Sequence, residues 1–169
     1  ILWTRITPEG DGDITVKWEV SQTEDFDAIV SKGDIKTGIV KDYTVKVEAK
    51  GLKPDKWYFY RFRVNDTVSP VGRTRTLPDG PTDEARFAVV SCANWQHGYF
   101  NVYDHIAREA RQEPFDALIH LGDYYYEYAA DASPRLADRV HDPKNEIIAL
   151  ADYRRRHAQY RSDPNLQDA

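Results

Sequence analysis

Phe115-Asp-Ala-Leu-Ile-His-Leu-Gly-Asp-Tyr-Tyr-Tyr-Glu-Tyr128 is the stretch on which the fold turns. It opens as an apolar run of strand length, then breaks at Gly122 into one aspartate, four tyrosines and a glutamate. Upstream, Arg86-Phe-Ala-Val-Val90 is a second apolar run, and it too ends in reactive groups, Ser91-Cys92-Ala93-Asn94-Trp95. An unbroken apolar run, rather than alternation, is the pattern of a strand covered on both faces. Between the runs, from Gly98 to about Arg111, Val102, Tyr103, Ile106 and Ala110 recur at helical spacing, which predicts an amphipathic helix. Strand, helix, strand implies a parallel pair with a right-handed crossover. Ligands of such sheets bind beyond the carboxyl ends of the strands. Cys92 and Asp123 are therefore expected at one sheet edge, with Gly122 freeing the backbone to turn just before Asp123.

Beyond this core, a last helix is expected from Asp142-Pro143, with Asp as cap and Pro in the first turn, to about Arg161, where Asp163-Pro164 stops it. Towards the N-terminus the period changes to two. Ile14-Thr-Val16-Lys-Trp18-Glu-Val20 alternates cleanly, Val45-Lys-Val47 repeats the pattern, and Trp57–Val64 is long, aromatic and β-prone. Residues 1–6, 28–36 and 69–76 are further strand candidates, with turn signals at 8–12, Lys32-Gly33-Asp34 and Asn65-Asp66. Short strands without a helix predict an antiparallel sandwich over residues 1–77. Gly51-Leu52-Lys53-Pro54 before Trp57-Tyr58 resembles the turn of fibronectin type III domains, in which a corner tyrosine bonds back to the backbone. By that resemblance Tyr58 is structural. The Pro/Gly-rich residues 78–84 read as a linker, and residues 85–169 as the start of a second domain.

Charge steps at the same place. Residues 1–78 carry 13 basic and 12 acidic side chains, whereas residues 79–169 carry 10 and 16. An acidic second part suits a cation and argues against nucleic-acid recognition through a basic face. A mean hydropathy of -0.69 and the lack of a long apolar run give no membrane-spanning helix. One cysteine permits no internal disulfide. The chain lacks methionine, opens in Ile1-Leu2-Trp3 and closes just past a helix. Two strands and two helices cannot cover both faces of a sheet. The chain is therefore expected to be a piece of a longer one, completed by a downstream segment or a companion chain.

A thiolate, a carboxylate and a phenolate, from Cys92, Asp123 and Tyr126, present three negative charges that need a Lewis-acidic cation when partly buried. Ferric iron suits this set best, since phenolate and thiolate both bind it; zinc sites use closer His and Cys spacings. The plain alternative is a filler cysteine at a strand end and packed tyrosines. Asn94 caps a helix or touches a bound cation, and His97 lines a pocket or is simply exposed. Arg154, His157 and Arg161 share a helical face, either solvated or turned to an anion.

Gly-Asp-x-x-Tyr after a strand, some thirty residues beyond another strand-end ligand, resembles the metallophosphoesterases. SCANW, HLGDYYYEY and DYRRRHAQYRSDPNLQ resemble the PhoD-like alkaline phosphatase family more closely, and ILWTR and GRTRT resemble its N-terminal β domain. The resemblance implies an α+β two-domain fold: a fibronectin III-like sandwich, then the first βαβ part of a metallophosphoesterase α/β sandwich. It implies a Fe3+ and Ca2+ centre, with Cys92 and Tyr126 on iron and Asp123 bridging to calcium. It also implies phosphate-ester hydrolysis, of phosphodiesterase, phosphatase or phospholipase D type, by an exported protein. The family's remaining ligands lie downstream of Ala169, so this piece alone is expected to be inactive. Two other readings compete: a β-sandwich interaction module without catalysis, and a thiol enzyme using Cys92 with His97 or His120 as base.

Overall fold

The computed structural model describes residues 1–130 and 136–169. Two compact units divide it, Ile1–Thr82 and Asp83–Ala169.

In the first unit, strand β1 (Leu2–Arg5) pairs antiparallel with β4 (Thr44–Val47). A larger antiparallel sheet joins β2 (Ile14–Ser21), β3 (Ile29–Thr37), β5 (Trp57–Val64), β6 (Thr67–Val68) and β7 (Gly72–Arg75). One core takes side chains from both sheets: Leu2, Val45 and Val47 from the smaller, Val16, Val20, Tyr58 and Phe62 from the larger. The period-two pattern is the cause. Along β2 the apolar residues point to that core while Lys17 stays exposed, and each valine removed from water there contributes roughly 1.5–3 kcal/mol. The Tyr58 hydroxyl, itself buried, accepts a hydrogen bond from the Lys53 N–H at 2.9 Å.

Lys32-Gly33-Asp34, expected as a turn, lies instead within β3, where Gly33 pairs with Trp18. A Cβ on Gly33 would come within 2.9 Å of the Trp18 ring. The glycine is there for close approach, not for chain reversal.

The second unit is built on β8 (Phe87–Val90) and β9 (Ala117–His120), paired in parallel and joined through helix α1 (Asn101–Gln112). Helices α2 (Leu150–Arg161) and α3 (Pro164–Asp168) follow. Tyr103, Ile106 and Ala107 form the buried face of α1, whereas Val102, expected on that face, is 61% exposed. The strands are also not covered on both sides. Ala88 is buried, but Phe87 and Val89 are 52% and 56% exposed. Their apolar character demands a layer that the described residues do not supply.

The last helix begins at Leu150, not near Asp142. The backbone before it is committed elsewhere: Gln159 Nε2 donates to Val140 O, Asp142 N–H donates to Gln159 Oε1, and Arg156 donates to the carbonyls of Asp142 and Pro143. These side-chain bonds from α2 hold the segment as a non-helical stretch of backbone alongside that helix. Asp163, expected only to end that helix, also starts α3: its carboxylate accepts from Asn165 N–H and Leu166 N–H, with Pro164 in the first turn.

Candidate functional site

The parallel pairing continues past both strands. Leu121 N–H donates to Val90 O, Cys92 N–H to Gly122 O, and Ala93 N–H to Asp123 O. The two polar segments are thereby zipped together at the carboxyl edge. Gly122 has φ +122, a conformation that side chains rarely adopt. Two residues without glycine's freedom also sit in the left-handed region, Cys92 at φ 60 and Asp123 at φ 52. Such backbone costs on the order of 1–3 kcal/mol per residue and concentrates at functional sites.

The result is a convergence of three donors. Cys92 Sγ lies 3.6 Å from Asp123 Oδ2, and the Tyr126 hydroxyl donates to the same oxygen at 3.1 Å. Desolvation, then hydrogen bonding to Asp123 and Cys92, pushes the Tyr126 phenol well above its ordinary value of 10.0. Cys92 is exposed, so an ion has access to the sulfur.

A cavity of about 690 Å³ opens beside these groups, lined by Cys92, Asn94, His97 and Tyr126 with apolar walls that include Val89 and Val102. Asn94 also caps the 3-10 turn Trp95–His97, its side chain accepting from Gln96 N–H. Arg154 and His157 are not among the residues lining this cavity. His157 instead packs against the rings of Tyr124 and Tyr125. Desolvation there, with the Arg161 charge adding to it, holds its pKa below 6.5. His120 accepts from Gly122 N–H through Nδ1, and its buried Nε2 has no partner among the described residues. It is not hydrogen-bonded to the thiol it was considered to activate.

Two buried arginines tie the surrounding segments together, and neither was assigned that role from the sequence. Arg139 stacks on Trp95, donates to Trp95 O at 2.9 Å and forms a buried ion pair with Asp163 at 2.8 Å. Arg156, fully buried, donates to the carbonyls of Tyr126, Tyr128, Asp142 and Pro143. A signal for Arg156 existed: it stands four residues before Tyr160, and both are on the buried side of α2. Arg139 follows no periodic pattern that would have exposed it.

Comparison with known proteins places these features in a lineage. The family described as "PhoD-like phosphatase, N-terminal domain" matches residues 1–78, and "PhoD-like phosphatase" matches residues 87–169. Alkaline phosphatase D of Bacillus subtilis (strain 168) is 43% identical over the whole of this chain. A solved structure titled "Structure of PhoD" superposes with a TM-score of 0.83 at 42% identity over 98% of the chain. The chain spans 30% of the first relative and 33% of the second.

Proposed function

The chain belongs to the PhoD-like phosphatase family, and from that membership we propose that it supplies the first ligands of a metal-dependent phosphatase or phosphodiesterase. The observation that carries this reading is the approach of Cys92 Sγ and the Tyr126 hydroxyl to one oxygen of Asp123. A thiol and a phenol can give up a proton for a cation, and a carboxylate binds one directly. Their chemistry fits Fe3+, and the second oxygen of a carboxylate gives Asp123 the means to bridge to Ca2+. Bound there, the two ions would supply Lewis acidity to a phosphate ester.

The residues of this chain have separate tasks in that scheme. Cys92, Asp123 and Tyr126 hold the cation, and the left-handed backbone at Cys92 and Asp123 aims two of them. Asn94, with its oxygen engaged by Gln96, has its NH2 group to offer an ester oxygen, and His97 faces the same cavity. Three protein donors do not fill an iron coordination sphere. The remaining ligands, and the layer over Phe87 and Val89, are assigned to the rest of the family's catalytic domain, so this piece alone is expected to be inactive. We read the first unit as a fibronectin III-like positioning domain, a reading supported by the Tyr58 back-bond. We read the β8–α1–β9 segment as the opening of a metallophosphoesterase sandwich, and an exported protein accords with the family.

Metal content tests the reading. Elemental analysis of protein purified without added metal, or loaded with ferric iron and desalted, should find iron bound by the unsubstituted chain. Cys92→Ala and Asp123→Ala should each abolish it. Equal iron in both variants and the parent would refute the assignment.

A further inference from the structure

Arg156 is a permanent charge with 0% of its surface exposed. Buried ions are costly unless fully hydrogen-bonded, and a buried arginine ordinarily faces a carboxylate. Here the guanidinium is satisfied by backbone carbonyls. Nη1 donates to Tyr126 O at 2.6 Å and to Tyr128 O at 3.2 Å, Nη2 to Pro143 O at 2.7 Å, and Nε to Asp142 O at 3.3 Å. The planar fork thus joins two segments distant in sequence, the one leaving the Gly122-Asp123 turn and the one entering α2. Two backbone bonds run along the same seam, Ile147 N–H to Glu127 O and Ala130 N–H to Lys144 O. The neighbouring Arg155, by contrast, pairs with Asp142 at the surface.

The side chains of Tyr124 and Tyr125 are fixed by packing against α2, through His157 and Tyr160. Tyr126 turns the other way, to Asp123, and its main chain is gripped by Arg156. We propose that Arg156 is a positioning residue for the candidate metal centre: by holding the carbonyls of Tyr126 and Tyr128, it sets the backbone that brings the Tyr126 hydroxyl to Asp123 and Cys92. Its effect on iron rests on the metal reading given above; its effect on Tyr126 does not. Lysine keeps the charge but presents a compact ammonium that cannot span both segments, which makes Arg156→Lys the informative variant.

The test uses the whole chain with tyrosine labelled at the ring carbon that bears the hydroxyl. Tyr126→Phe identifies the Tyr126 resonance, and Asp123→Ala shows where it falls without its acceptor. In Arg156→Lys, with the helical circular dichroism retained, the resonance should move towards that unpaired position. Ferric iron affinity should fall about 10- to 100-fold, as outer partners of metal ligands typically cost. Arg156→Met, where it folds, should exceed Arg156→Lys in both effects. A folded Arg156→Lys protein whose Tyr126 resonance is unmoved overturns the proposal. If Tyr126→Phe binds iron as well as the parent, the metal reading fails, and the resonance still decides the role of Arg156.

Discussion

Asp163→Ala removes two things at once, and the structure allows each to be sized. The carboxylate pairs with Arg139 at 2.8 Å, with side-chain exposures of 7% and 3%. Stranding one member of so buried a pair typically costs about 3–5 kcal/mol. The same side chain caps α3 through Asn165 and Leu166, and an N-cap lost to alanine costs about 1 kcal/mol. Asp163→Asn keeps a capping oxygen and loses the charge, so it should fall short of alanine by roughly the cap. Replacing the arginine as well, Arg139→Met with Asp163→Asn, leaves no stranded ion and should restore part of the loss. The coupling should then be about 2 kcal/mol, within the range measured for contacting groups. Urea unfolding followed at 222 nm is the assay. Among the described residues all three α-helices lie in Asp83–Ala169, so the helical signal follows that unit. Single-variant losses that simply add, to within about 0.5 kcal/mol, would show that Arg139 and Asp163 do not act as a buried pair.

Tyr58→Phe should leave iron content unchanged but cost roughly 0.5–1.5 kcal/mol through the lost bond from the Lys53 N–H, seen as a lower melting temperature in the near-ultraviolet signal; an unaltered melt would show that the back-bond does not matter. Desolvation by Tyr124 and Tyr125, and the charge of Arg161, depress the His157 pKa in the folded chain. The unfolded state therefore binds that proton first, so stability is greatest above pH 6.5 and falls as the pH drops towards the folded pKa. His157→Gln should flatten part of that slope in urea titrations, and an identical slope would refute the assignment. Cys92, which is exposed, should be alkylated readily before iron is added, resist the reagent once iron is loaded, and react again after chelation; alkylation at one rate throughout would separate the thiol from the metal.

How much of this was legible in the sequence depended on whether the deciding interaction was local. Alternation along Ile14–Val20 is a property of neighbours, and the strand and its inward valines follow directly. The meeting of Cys92 with Asp123 was legible for a related reason, because two apolar runs joined by one helix leave little freedom in where their polar ends lie. The Asp-Pro pairs show where locality fails. Asp142-Pro143 and Asp163-Pro164 carry the same helix-start signal, yet only the second precedes a helix directly. At the first, Arg156 and Gln159, more than a dozen residues away, hold residues 140–143 in a non-helical path through their side chains. Arg154, His157 and Arg161 share a helical face that reads as solvated or turned to an anion, because charge on a helix normally marks the solvent side, yet His157 packs on Tyr124 and Tyr125. The burial of Arg156 had one local sign, its place four residues before Tyr160, but nothing local says that its guanidinium will meet four carbonyls. Phe87 and Val89 mark a third kind of limit. Their pattern predicts a covered face, and among the described residues that face is open. A sequence records such a demand whether or not the partner lies within it. Those two side chains are thus the place to follow when a partner segment is supplied: they should become buried on its docking, and both lie on the strand that leads to Cys92.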